Sequence, residues 1–262
     1  MDFSQKYLDS LRFPNYPTLH FRIKARNLIT KFRNFQRRWF PTRPAKCDWS
    51  GKNLITPVFE EGAKHYREHG WVFLENILDS KFHEELTKNW PKVRYLEPPW
   101  DLKKSYNRGM QWIKKTKENP DFHNLHPHVA AFLDFLKTKE FGERVTNFAG
   151  DRIERSCHAF LVTSSVTGTN VAPHRDSSAS TEEGKSFVNF VFFIKGTGGS
   201  NSGGLAILGD NTFDKVIFES KNLVNSVLVY NVYDPFYHGF PPIAFGKDRQ
   251  AIITEFCDPG VY

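Results

Sequence analysis

Residues 171–178 read VAPHRDSS and set His174 and Asp176 two apart, between a proline and a pair of serines. Further along, YDPFYHGFPP supplies His238, and eleven residues later Arg249 opens RQAIITEF. Two imidazoles and one carboxylate can fill three adjacent positions of an octahedral iron and leave the other three open to substrate and oxygen. A guanidinium fork, in turn, is a natural bidentate partner for a carboxylate. Each piece alone has a plainer reading. A single His-x-Asp is usually a hydrogen-bonded surface turn, a histidine beside a proline turn is usually structural, and Asp248-Arg249 reads as a solvated ion pair of little worth. Their order and spacing along a run of strands favour the metal site.

The elements that must position these residues change character along the chain. From 151 to 262 the pattern is short strands punctuated by Gly, Ser and Asn: CHAFLVTSS, KSFVNFVFFIKG, LAILGD, KVIFES, NSVLVYNV and RQAIITEF. That predicts an antiparallel double-sheet barrel, a jelly roll, as the core of an α+β, mainly β, fold. A His-x-Asp at a strand end puts both side chains on one side of a metal, and the third ligand must then come from another strand. Residues 49–150 read as mixed and mostly helical. Thr56-Pro57 starts a helix that Gly70 ends, GWVFLENIL is a short strand, Asp79 or Ser80 caps a helix towards Trp90, and HPHVAAFLDFLKTKEF is helical again. GTGGSNSGG, 196–204, is a loop without the lysine and spacing of a phosphate loop. Regions 91–124 and 177–186 are polar and carry no readable chemistry.

Composition bounds the setting. The 262 residues suit one large domain with an appendage, and 25 phenylalanines allow a sizeable core. Three widely spaced cysteines, Cys47, Cys157 and Cys257, argue against a disulfide framework and for a reducing compartment, so a cytoplasmic location is expected. No apolar run approaches the length of a membrane span. The net charge of +7 is concentrated: ten Lys or Arg and no acidic residue lie between Ser10 and Cys47, so the remainder carries −3. Within this segment, 1–48, the positions Phe21, Ala25, Leu28, Phe32, Phe35 and Trp39 form a helical apolar stripe. Such a basic amphipathic helix suits an anionic membrane surface, contacted through residues 20–40, or it packs its stripe on the barrel.

The constellation His174-x-Asp176, His238 and Arg249 resembles the iron(II)- and 2-oxoglutarate-dependent dioxygenases. The resemblance covers roughly 152–258 and extends more loosely to HGWVFLENILDSKFHEEL, which looks like the opening of the phytanoyl-CoA and prolyl hydroxylase branches. It implies a double-stranded β-helix with flanking N-terminal helices and His174, Asp176 and His238 on iron. Arg249 would hold the distal carboxylate of 2-oxoglutarate. Asn189, a lone amide in FVNFVFFI, would touch the same molecule or simply bond backbone. NSGGLAILGD looks like the family's Gly-Gly strand ahead of the distal histidine. Many relatives carry a hydroxyl two residues after the arginine; Ala251 stands there, so that contact must come from elsewhere, with Thr254 and Tyr230 as candidates.

The implied activity is hydroxylation of an unactivated C–H bond with O2 and 2-oxoglutarate, with ascorbate as a candidate reductant. Desaturation or another oxidative outcome stays open. A carboxylate at 176 speaks against the family's halogenases, where a small residue makes room for chloride. The basic appendage suggests an anionic, membrane-associated substrate, such as the Kdo sugar of a lipopolysaccharide inner core, with a soluble metabolite, an acyl lipid or a protein side chain as alternatives. Arg155, His158 and Arg175 could reach such a substrate. Nucleic acid is disfavoured, because the base-repairing branch carries a second arginine where Glu255 stands. A non-catalytic jelly roll recruited to polyanions by its basic helix is the competing class. A zinc hydrolase fits worse, since the chain lacks His-Glu-x-x-His.

Overall fold

The computed structural model describes residues 47–91, 126–151, 156–166, 169–175, 187–199, 202–231 and 237–257, together with Leu28 and Phe32. In chain order these residues form helices α1 (Val58–Glu61) and α2 (Ala63–His69), strand β1 (Trp71–Glu75), and helices α3 (Ser80–Lys88), α4 (Pro127–Leu136) and α5 (Lys139–Ala149). Strands β2 (Ser156–Val166), β3 (Val171–His174), β4 (Phe187–Gly196), β5 (Ala206–Leu208) and β6 (Val216–Glu219) follow, then β7 (Ser226–Asn231), β8 (Tyr237–Phe240) and β9 (Asp248–Cys257).

The strands build two antiparallel sheets, one of five in the order β1-β7-β4-β9-β2 and one of four in the order β3-β8-β5-β6. This is the expected jelly roll with helices on one side. The period of a strand decides what each face buries. On β4, Val188, Phe190, Phe192 and Ile194 join the core under the helices, while Phe187, Val191 and Phe193 join the core between the sheets. On β7, Val227 and Val229 face the helices, and Leu228 and Tyr230 face inward. With both faces covered, the strands read as nearly unbroken apolar runs.

The helix-side core is a phenylalanine cluster. Phe59 stacks on Phe148 at 4.6 Å, Phe132 meets Phe192 edge-on at 5.1 Å, and Phe256 meets Phe190 edge-on at 5.2 Å. Such pairs add about 0.5–1.5 kcal/mol each beyond the area they bury.

The helix expected from Thr56 to Gly70 is interrupted at Gly62, where a Cβ would lie 2.9 Å from Leu74 of β1. Thr56 does not cap it; its hydroxyl donates to the Asn76 carbonyl at 2.9 Å. Gly70 ends α2 in the left-handed conformation, and the Asp79 carboxylate caps α3 by accepting from the Lys81 and Phe82 amides. The single helix expected over 126–141 is two, because Thr138 caps a new start by accepting from the Phe141 amide.

Of the basic N-terminal segment, Leu28 and Phe32 are described. Both are helical, and they are 71% and 60% exposed. The other positions of that stripe lie outside the described residues. Among the described residues, no helix is long and apolar enough to cross a membrane.

Candidate active site

Two of the predicted ligands sit on strands that the sequence pattern did not announce. His174 ends β3 and His238 lies in β8, and the two are directly paired across the four-stranded sheet. Their ring centroids are 4.2 Å apart. Gly239 permits this approach: a Cβ there would fall 2.6 Å from the Val171 carbonyl oxygen. β5, the predicted Gly-Gly strand, flanks β8 on its other side with Ile207 opposite His238.

The His174 Nδ1–H donates to the Ala172 carbonyl at 2.8 Å. That bond fixes the ring and puts the lone pair on Nε2, the form in which imidazole ligates a metal. Asp176, the predicted third ligand, lies outside the described residues, as do Arg155 and the side chain of His158. Arg175 stacks its guanidinium over the Tyr237 ring at 4.2 Å.

Arg249 is the first arginine of β9, and its odd-numbered register faces between the sheets, like that of Ala251 and Cys257. It is 1% exposed. Its guanidinium lies between the rings of Phe240, at 4.6 Å, and Phe193, at 5.3 Å. Nη1 donates to the Gly203 carbonyl at 2.6 Å, whereas Nε is buried with no partner among the described residues. Among the described residues no carboxylate pairs with it. Burial pushes its pKa down to about 10, with Tyr230 acting the other way, so the buried group is charged at neutral pH.

Gly203 is needed at its position twice over. Its φ is +86°, and a Cβ would lie 2.9 Å from both Arg249 Cδ and Ile243 Cδ1. The loop expected as a plain connection therefore supplies an acceptor for the buried cation. Sequence offered a single signal for it, glycines packed just ahead of β5.

Asn189 faces the same interior, and its Nδ2 donates to the Tyr230 hydroxyl at 3.4 Å. The Tyr230 ring lies 4.8 Å from His238, so Tyr230 links the histidine pair to the arginine end. Thr254, the other candidate for the missing hydroxyl, is on the wrong face: its even-numbered register turns it towards the helices, where it meets the Cys157 thiol at 3.0 Å. The interior thus holds two apposed imidazoles, an amide, a phenol and a buried cation. That donor set suits a divalent metal together with an acid carrying a carboxylate at each end.

A scan against family models finds no match, and neither does a search of curated proteins. Solved structures do match. One is a prolyl-4-hydroxylase from Pseudomonas putida, with 14% identity, TM-score 0.51 and coverage of 77% of this chain and 100% of that one. A prolyl hydroxylase solved with a hypoxia inducible factor oxygen degradation domain peptide fragment, from Trichoplax adhaerens, matches at 13% identity and TM-score 0.52, covering 81% and 96%. The non-heme alpha ketoglutarate dependent epimerase SnoN from nogalamycin biosynthesis matches at 12% identity and TM-score 0.56, covering 76% and 83%. A further structure of that epimerase holds Fe3+, alpha ketoglutarate and nogalamycin RO. At these identities the likeness is one of fold: the chain has the double-stranded β-helix of these oxygenases.

Proposed function

We propose that this chain is a non-haem iron(II)- and 2-oxoglutarate-dependent dioxygenase. The observation that carries the reading is Arg249, a buried guanidinium with no carboxylate partner among the described residues, in the same barrel as the facing pair His174 and His238. A buried unpaired charge is costly, and an anion entering the barrel would relieve that cost.

In this reading His174 and His238 hold iron through their imidazoles, and Asp176 is the third ligand. Arg249 would hold the distal carboxylate of 2-oxoglutarate. Asn189 and Tyr230 line the path between Arg249 and the histidine pair. When bound, iron and 2-oxoglutarate together with O2 supply the oxidising power to break an unactivated C–H bond, as 2-oxoglutarate is converted to succinate and carbon dioxide. The apolar walls of Phe193 and Phe240 keep water from the guanidinium, which strengthens its grip on a carboxylate. Neighbours of this fold include both prolyl hydroxylases and an epimerase, so the fold fixes no single oxidative outcome; hydroxylation is the outcome proposed here, with a carboxylate at 176 speaking against halogenation.

The test is anaerobic addition of iron(II) and 2-oxoglutarate to the full chain, read from the visible charge-transfer absorption of the chelate. A band that is absent in His174→Ala and needs far more 2-oxoglutarate in Arg249→Ala supports the reading. No band and no bound iron in the natural sequence would leave a non-catalytic jelly roll.

The proposed substrate is anionic and membrane-associated, approached through the basic segment 20–40. Support comes from ten basic and no acidic residues between Ser10 and Cys47, and from the exposure of Leu28 and Phe32 on one helical stripe. Such a helix would place the enzyme peripherally on the cytoplasmic face of a membrane. Cosedimentation with vesicles containing phosphatidylglycerol should exceed that with phosphatidylcholine alone, fall with salt, and fall again in Leu28→Ser/Phe32→Ser. Equal binding to both vesicles would overturn it.

A further inference from the structure

Resting on that reading, we propose that Ser165 is the second group that binds the distal carboxylate of 2-oxoglutarate, acting from β2 beside Arg249. The β2–β9 register puts Ser165 directly opposite Arg249. Residues facing each other across an antiparallel pair project from the same side of the sheet. The parity of β2 agrees. Val162 belongs to the helix-side core, and the Ser164 hydroxyl accepts from the Trp90 indole on that side at 2.8 Å, so Thr163 and Ser165 face inward.

The chemistry of the pair points to an acceptor. Ser165 is 1% exposed, and its hydroxyl has no hydrogen-bond partner among the described residues. Arg249 Nε, across the strand, has none either. Buried hydroxyl and guanidinium groups left unbonded are costly. Two unbonded donors on adjacent strands, one of them charged, match the two oxygens of a carboxylate, each oxygen taking one bond. Nothing on β9 does this instead: Ala251 has no hydroxyl, and Thr254 is turned to the other face against Cys157. Thr163, the other inward hydroxyl of β2, is already committed, since it donates to the Ala251 carbonyl at 3.1 Å. Thr163 is therefore an internal control, being equally buried, on the same face and already bonded.

The experiment is isothermal titration of 2-oxoglutarate into the Mn(II)-loaded full chain, with metal-free thermal unfolding measured alongside. Ser165→Ala should weaken 2-oxoglutarate about tenfold, the scale of one hydrogen bond to a charged group. Its metal-free unfolding temperature should stay equal or rise, because the hydroxyl it loses was unbonded. Thr163→Val should leave the affinity unchanged. If Ser165→Ala does not fold, Ser165→Cys, close in volume and a poor donor, gives the same reading. Natural affinity in the Ser165 variants overturns the proposal while leaving Arg249 in place, and so does an equal loss in Thr163→Val. If the unmutated chain does not bind 2-oxoglutarate at all, the dioxygenase reading itself falls and takes this proposal with it.

Discussion

The two faces of the five-stranded sheet are equally dry and are made differently. Towards the helices, β4 turns Val188, Phe190, Phe192 and Ile194 into a cluster of stacked and edge-on rings. Towards the second sheet, the same strand turns Phe187, Asn189, Val191 and Phe193, while β7 adds Tyr230, β9 adds Arg249 and β2, beyond β9, adds Ser165. One residue of displacement separates a face whose hydroxyls are paired, Ser164 with Trp90 and Thr254 with Cys157, from a face that carries a buried cation. Burial alone does not distinguish them, since Phe190 and Arg249 are both within 1% of complete burial. The difference lies in what would satisfy each face. Phenylalanines under the helices are already in contact with one another, whereas Nε of the inward cation and the Ser165 hydroxyl have no hydrogen-bond partner among the described residues.

The contrast predicts opposite signs. Phe190→Ala should destabilise the protein most, by about 3–5 kcal/mol in urea unfolding, because it empties the middle of the helix-side cluster. The folded fraction should bind 2-oxoglutarate as before. A cost below about 1 kcal/mol would mean that this face packs loosely and the contrast fails.

Arg249→Met should do the reverse. Replacing an unpaired buried cation with an apolar side chain of similar length should leave stability unchanged or raise it by about 1 kcal/mol or more. The gain is limited by the lost bond to the Gly203 carbonyl. Stabilisation by added 2-oxoglutarate should disappear. A strongly destabilised Arg249→Met would place this arginine with the packing residues and would weaken the proposed role.

How much of this could be read from the sequence follows the same division. Strands β2, β4, β7 and β9 are apolar and long enough to announce themselves, and the jelly roll follows from them. β3 and β8, four residues each, carry the histidines and went unrecognised as strands, because proline and glycine in VAPH and YHGF break the pattern. Close approach of β3 to β8 is what demands the glycine at 239, so the site itself obscures part of its own scaffold. The histidines and Arg249 were still legible, through spacing. Ser165 and Gly203 were not, since their roles exist only once the β2–β9 register and the β5 approach are known. Thr254 and Tyr230 looked equivalent as polar residues in apolar strands, and parity alone tells them apart.

That last pair gives the smallest and most discriminating comparison. Thr254→Val and Tyr230→Phe each remove one buried hydroxyl, and each should cost about 1 kcal/mol or less in unfolding. Stability therefore cannot separate them, but location does. Thr254 contacts Cys157 beneath the helices, so its loss should leave the chelate's visible band and the 2-oxoglutarate affinity untouched. The Tyr230 hydroxyl takes the Asn189 amide, and its ring lies against His238, so removing it frees the amide and alters the surroundings of the His238 imidazole, the proposed iron ligand. Tyr230→Phe should shift the band and weaken 2-oxoglutarate by a few-fold. If both variants shift the band equally, the two faces communicate through the sheet, and the separation argued from strand parity is too sharp. If neither does, Tyr230 belongs to the packing and the polar path from His238 to Arg249 runs without it.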